Sequence, residues 1–192
     1  MDRATFTRDD LTPSREELDR RIFRLQGELV RADLEGVFIL PLVDRLYFSG
    51  TGQDGVLWVP DSGKPLLLIR KVYERALEES ALEELVPFKS YKKLPELLHS
   101  SGVKELKRVG FEMDVVPAAL YFQFQQLFPN VKFVDISFSI RSLRSIKSSY
   151  EVRMIREASR ILDIGLTSVK EYLQEGIAEA HLAALVDARM RQ

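Results

Sequence analysis

The chain contains no cysteine, and this one absence removes disulfide bonds, thiolate catalysis and cysteine-ligated zinc together. Histidine is scarce too. His99 and His181 are the only two, and neither has a second histidine or a carboxylate at a metal-ligand spacing such as H-E-x-x-H. Neither sign of charge dominates: 28 Lys and Arg stand against 29 Asp and Glu, a formal net charge of -1, so no overall field draws nucleic acid or an anionic membrane. No apolar run approaches the roughly 18 residues of a membrane span. Residues 1–10 are polar and charged, without the apolar segment of a secretory leader. A cytoplasmic protein with no nucleic-acid and no membrane partner is the expectation. The G-x-S-x-G, Walker A and Ser/Lys dyad spacings are also missing, which leaves nucleophilic and nucleotide chemistry without a foothold.

What is present suits a globular core. Hydrophobic residues make up 45% of 192 positions, a length that fits one domain with an appendage. Thr12, Pro13, Ser14 and Glu17 read as a helix start, after which Leu18, Ile22, Leu25 and Leu29 recur on one face, and the helix is expected to end near Asp33. Beyond Gly36, the short apolar run 37–40 reads as a strand buried on both faces. Further strand-like runs lie at 46–48, 56–59, 66–69, 85–88, 108–111 and 131–136, with a hairpin turn at Asp61, Ser62 and Gly63. Helical stretches at 71–84, 93–99 and 117–128 separate the later strands. This is an α/β pattern with an antiparallel hairpin inside it, hence a mixed β-sheet flanked by helices.

Candidate chemistry is thin. Gly50, Gly52 and Gly55 spell G-x-G-x-x-G after a strand-like run, but the dinucleotide fingerprint needs a helix opening at its glycines, and 56–60 reads as a strand. The glycines are expected to supply positive φ in a hairpin-like loop. Glu112 and Asp114 follow one strand end and Asp135 closes another, yet run 37–40 carries none of the acids that a two-metal nuclease of ribonuclease H type places in its first strand. Lys92, Lys93, Lys104, Lys107 and Arg108 are interleaved with Glu96 and Glu105, as on a solvated face. Tyr121, Phe124 and Phe128 fall at helical spacing and read as a core stripe.

The last quarter is the most informative. Ser148 with Glu151 forms a capping-box pair, followed by an apolar stripe at Val152, Ile155, Leu162, Leu166, Val169 and Leu173, with Gly176 where a left-handed C-terminal cap would fall. A second helical run, 178–190, carries Leu182, Leu185 and Val186 on one face. Two such helices bury little alone, so their stripe needs a partner, on the preceding domain or beyond Gln192. A domain boundary is expected at 144–148.

Segment 144–191, RSIKSSYEVRMIREASRILDIGLTSVKEYLQEGIAEAHLAALVDARMR, resembles the junction between the two domains of the creatinase, prolidase and aminopeptidase P family. Upstream, VDRLYFSGTGQDGVLWVP at 43–60 and RVGFEMDVVPAALYFQFQQLFP at 108–129 resemble that family's strand and turn, and its later strand and helix. The resemblance implies a creatinase N-terminal domain with a ribonuclease H-like mixed sheet over 1–145. Residues 146–192 would then be the first helices of a truncated pita-bread catalytic domain. It also implies that the metal ligands, two Asp, one His and two Glu, belong to the missing part. This chain would then hold no catalytic residue, no metal ligand and no cofactor, and two divalent ions, Mn, Co or Zn, would sit in the parent's catalytic domain. By the same resemblance the domain forms a homodimer and contacts its own catalytic domain. The loop Thr51, Gln53 and Asp54 would lie on the rim of the partner subunit's cavity, where proline-containing peptides are cleaved. Creatine hydrolysis, which needs no metal, is a variant within the family. A stand-alone, non-catalytic module that binds peptides or proteins is the alternative of a different class.

Overall fold

The computed structural model describes residues 11–191; the polar segment 1–10 and Gln192 lie outside the described residues. Two compact units emerge, Met1–Ile146 and Lys147–Gln192.

In the first unit helix α1 (Arg15–Arg31) is capped by Ser14, whose hydroxyl accepts from the Glu17 amide at 3.2 Å. Its apolar stripe is fully used: Leu18, Ile22, Leu25 and Leu29 are all buried. At about 2 kcal/mol per buried aliphatic side chain, this face anchors α1 on the sheet. Six strands follow in the chain: β1 (Gly36–Ile39), β2 (Gly55–Pro60), β3 (Leu66–Ile69), β4 (Glu84–Pro87), β5 (Arg108–Phe111) and β6 (Lys132–Asp135). They form one mixed sheet in the order β4-β3-β2-β1-β5-β6. β2 runs antiparallel to both β1 and β3, while β3–β4, β1–β5 and β5–β6 are parallel.

Alternation along the strands divides the core into two layers. Val37, Ile39, Leu57, Val59, Leu67 and Ile69 face α1 and α6 (Ser137–Ser145). Phe38, Val56, Trp58, Leu68, Val109 and Phe111 face α4 (Leu94–Ser100) and α5 (Ala118–Leu127). Phe38 is the hub of the second layer, with Trp58 at 4.8 Å and Phe124 and Phe128 at 5.2 Å between ring centroids. Both Phe124 and Phe128 of the expected aromatic stripe are buried there, and Tyr121 is half-buried beside Phe111.

Several expectations are corrected. Residues 46–48 belong to helix α2 (Leu42–Ser49), not to a strand. The run Leu46, Tyr47, Phe48 is too short to show its period; Pro41 starts a helix there, and buried Phe48 faces the α1 layer while Leu46 points to solvent. The helix expected over 71–84 is only α3 (Tyr73–Glu79), because Ser80 turns extended and β4 begins at Glu84. Of the three glycines in G-x-G-x-x-G, only Gly50 has positive φ, 79°, as the left-handed cap of α2. Gly55 is required for space instead, since a Cβ there would lie 2.1 Å from the Leu68 carbonyl oxygen.

In the second unit, α7 (Ser149–Tyr172) opens with the full capping box, Ser148 to Glu151 and back. It ends at Tyr172 with Leu173 extended, so Gly176, at φ 84°, serves the turn before α8 (Glu179–Met190) rather than capping α7. The two helices approach closely at Gly165, where a Cβ would meet the Met190 side chain at 2.6 Å. Consequently Gly165 and Ser168 are the buried residues of α7, while Ile155, Leu162, Leu166 and Leu173 of the expected stripe are exposed.

The glycine geometry yields a contrast to measure. Gly55→Ala should lower the urea-unfolding free energy by about 2–3 kcal/mol, because a backbone carbonyl cannot yield without breaking the β2–β3 ladder. Gly52→Ala, where among the described residues no heavy atom beyond its chain neighbours lies within 4 Å of the added carbon, should stay within about 0.5 kcal/mol of the parent. Equal losses at the two positions would contradict this packing.

Candidate functional site

The polar loop 51–54 is reached from α2 through Gly50 and leads into β2 at Gly55. It therefore leaves a helix, not the buried strand expected from the sequence. β2 is antiparallel to β1, so the loop lies at the edge where β1, β3, β4, β5 and β6 end. That edge is where α/β sheets commonly present binding groups.

Arg45 of α2 organises the loop from below. Its side chain is 4% exposed and its guanidinium donates to four backbone carbonyls: Leu40, Gly52 at 3.3 Å, Gln53 at 2.9 Å and Gly55 at 3.2 Å. The fork of fixed N–H groups suits several carbonyls at once, which an ammonium could not reach together. Burial pushes the Arg45 guanidinium below its ordinary value, and the Asp54 charge partly opposes this. Ser49 adds a second brace by donating to the Arg45 carbonyl at 2.7 Å and accepting from the Thr51 amide at 3.4 Å.

Each of the three expected site residues is held by a partner distant in sequence. Thr51 is fully buried, and its hydroxyl donates to Glu79 of α3 at 2.6 Å while accepting from the Gln53 amide at 3.2 Å. It supports the loop from inside rather than meeting solvent. Half-buried Gln53 donates its side-chain amide to the same Glu79 oxygen at 3.1 Å. Asp54 receives Arg70 through Nε at 3.0 Å and Nη2 at 2.6 Å, and Arg70 lies over the Tyr91 ring at 5.4 Å. Burial pushes the Glu79 carboxyl up, but hydrogen bonds from Thr51, Arg75 and Gln53 outweigh it and leave it below the usual range. The Asp54 hydrogen bond raises Arg70. Gln53 and Asp54 are thus the loop side chains that reach the surface, in fixed orientations.

The remaining sequence candidates are accounted for separately. Asp114 pairs with Arg141, and Asp135 accepts from the Ser137 amide at 3.0 Å and from the Met113 amide at 3.3 Å. Glu112 is buried beside Asp44. Among the described residues no three His, Cys, Asp or Glu are arranged to hold a metal ion. His99 and His181 are both exposed. Lys93 pairs with Glu96 at 2.7 Å, and Arg108 with Asp33 at 3.5 Å. No helix among the described residues is long and apolar enough to cross a membrane. A cleft of about 670 Å³ lined by Leu98, His99, Val103, Leu106, Leu127 and Phe128 opens at the opposite edge of the sheet. Sequence reasoning missed Arg45, Arg70 and Glu79; the charged pair Asp44 and Arg45 inside the otherwise apolar stretch 42–48 was the available signal for the first.

Comparison with known proteins adds one family match and three individual likenesses. The family model described as the Creatinase/Prolidase N-terminal domain matches residues 21–146. The chain is 27% identical to a creatinase from Bacillus sp. over 194 residues, covering 90% of this chain and 44% of the relative. Its fold superimposes on the prolidase from Pyrococcus furiosus with a TM-score of 0.77 at 28% identity, covering 88% of this chain and 51% of that one. The N-terminal domain of the cytoplasmic peptidase PepQ from Mycobacterium tuberculosis is covered over 98% of its length by 65% of this chain, with a TM-score of 0.57 at 21% identity. The chain spans about half the length of the curated relatives it matches.

The anchoring role of Arg45 can be measured. Arg45→Met should cost about 2–4 kcal/mol in chemical unfolding, at roughly 1 kcal/mol for each carbonyl deprived of its donor. Arg45→Lys should recover only part of this loss. Full recovery by lysine would show that charge, and not the fork, holds the loop.

Proposed function

We propose a function that starts from family membership: the chain belongs to the creatinase/prolidase N-terminal domain family. In our reading it is the non-catalytic N-terminal part of a metal-dependent Xaa-Pro peptidase of prolidase or aminopeptidase P type. It forms a homodimer, and its edge loop shapes the active-site cavity of the partner subunit, which limits the length of proline-containing substrates. Two divalent ions, Mn, Co or Zn, belong in this reading to a catalytic domain outside this chain. Bound there, they would supply Lewis-acid activation for hydrolysis of the bond before proline.

The observation that carries the reading is the family match over residues 21–146, joined to similarity with prolidase along 88% of the chain but only 51% of that protein. The rigid loop supports it in detail. Gln53 and Asp54 are offered on a backbone fixed by Arg45, as a group that must meet a substrate or a neighbouring subunit should be. A creatinase-like amidinohydrolase is the second reading, favoured by the relative of that name that matches 90% of the chain.

Two measurements test the proposal. In the complete peptidase, replacing Gln53 and Asp54 together by Ala should cost about 1–2 kcal/mol of stability, one hydrogen bond and one half-exposed ion pair. kcat/KM on proline-containing peptides should fall at least about threefold with metal content unchanged, a loss of roughly 0.65 kcal/mol. Unaltered efficiency would make the loop a mere connector, and turnover of creatine in place of Xaa-Pro peptides would select the second reading. For the chain itself, light scattering at micromolar concentration should report self-association, since Ile155, Leu162, Leu166 and Leu173 present an apolar stripe. A monomer at every concentration would count against the dimeric role.

A further inference from the structure

The least expected group in the first unit is a carboxyl with no visible counter-charge of its own. Glu112 follows β5 directly and is 2% exposed, and among the described residues its Oε2 atom has no hydrogen-bond partner. Its neighbour is another acid: the Asp44 carboxyl of α2 lies within hydrogen-bonding reach. Among the described residues the cation that serves both is Arg144 in the last turn of α6, whose Nη1 meets Asp44 Oδ1 at 2.7 Å. Asp135, at the end of β6, adds a further negative charge nearby. The Arg144 guanidinium also lies 5.8 Å from the Tyr47 ring centre, and that ring is covered by Arg21 of α1 at 4.1 Å.

Two ionised carboxylates cannot share this buried position with a single guanidinium. The Arg144 ion pair identifies Asp44 as the carboxylate, which leaves Glu112 to carry the proton and to act as donor. We propose that Glu112 and Asp44 share one proton, forming an acid–carboxylate clasp that ties the end of β5 to α2. A charge-assisted O–H···O hydrogen bond of this kind is short and strong where water is excluded. The clasp sits at the same sheet edge as the loop 51–54, and Arg144, which pairs with Asp44, lies two residues before the first unit ends at Ile146. Its opening therefore loosens the edge on which the loop is mounted, without any titration of the loop itself.

The direction of the pH effect follows from the burial and from the Asp44 charge, which together push the Glu112 carboxyl up to about 9. A carboxyl raised on folding contributes stability that is complete below its unfolded value, near 4.5, and is lost as the pH rises toward its folded value. The fold is thus expected to weaken steadily from pH 5 to pH 9 on account of this one group.

Infrared spectroscopy of the chain labelled with 13C-glutamate reads the proton directly. A protonated glutamic acid band should persist at pH 7 and vanish with a midpoint near pH 9. In Asp44→Asn the midpoint should drop by at least about one pH unit, because the like charge is gone. In Glu112→Gln the urea midpoint should vary less between pH 5 and pH 9 than in the parent. No protonated glutamate at pH 7 in the parent chain overturns the clasp whatever the variants do. An unshifted midpoint in Asp44→Asn overturns the sharing and leaves burial as the sole cause. If either variant fails to fold, the parent's band and the remaining variant still decide.

Discussion

The contact on which the loop edge of this domain depends is the buried guanidinium of Arg45. It gathers the carbonyls of Leu40, Gly52, Gln53 and Gly55, and so joins the exit of β1, the loop and the entry of β2 through one side chain. Turning a chain from helix to strand in so few residues leaves carbonyls facing inward, where each would be costly without a donor. One arginine satisfies four of them. Everything placed on that loop inherits its position from this arrangement, including the Thr51 and Gln53 contacts to Glu79 and the Asp54 contact to Arg70.

The sheet beneath supplies the rigidity. β1 and β3 are buried at every position and β2 at all but its last, with helices on both faces, whereas edge strands β4 and β6 are partly open. Close backbone approach at Gly55 and at Gly110, where a Cβ would meet Ile136 at 2.6 Å, brings strands and helix into contact that no larger residue would permit. Asp44, Glu112 and the loop are found at the edge where β1, β3, β4, β5 and β6 end. A domain built this way holds the side chains of that edge in fixed positions, because the loop that carries them is braced by buried contacts.

Much of the architecture was legible in the sequence where the signal is local. The α1 stripe recurs four times over three turns, and the Ser148–Glu151 capping box closes within four residues, so both could be read directly. The apolar run 46–48 could not: three residues show neither the helical nor the strand period, and packing of Phe48 beneath α1 decided for helix. The loop 51–54 was recognisable as polar and glycine-bounded, yet Thr51 was read as a surface group when it is in fact fully buried. Its partner Glu79 lies 28 residues away, beyond any pattern a sequence window can hold.

By itself the sequence determined the α/β class, the mixed sheet, the helical C-terminal unit and the kinship that three ordered segments carry. These rest on periodicity, turn residues and caps, which are properties of neighbours along the chain. Tertiary structure alone decided that Arg45 would hold four carbonyls, that Glu79 would fix Thr51 and Gln53, and that Glu112 would meet Asp44 beneath Arg144. The physical reason is distance along the chain. Desolvation and charge act between groups that only folding brings together, and Glu112 is an ordinary surface-type acid until the sheet closes over it.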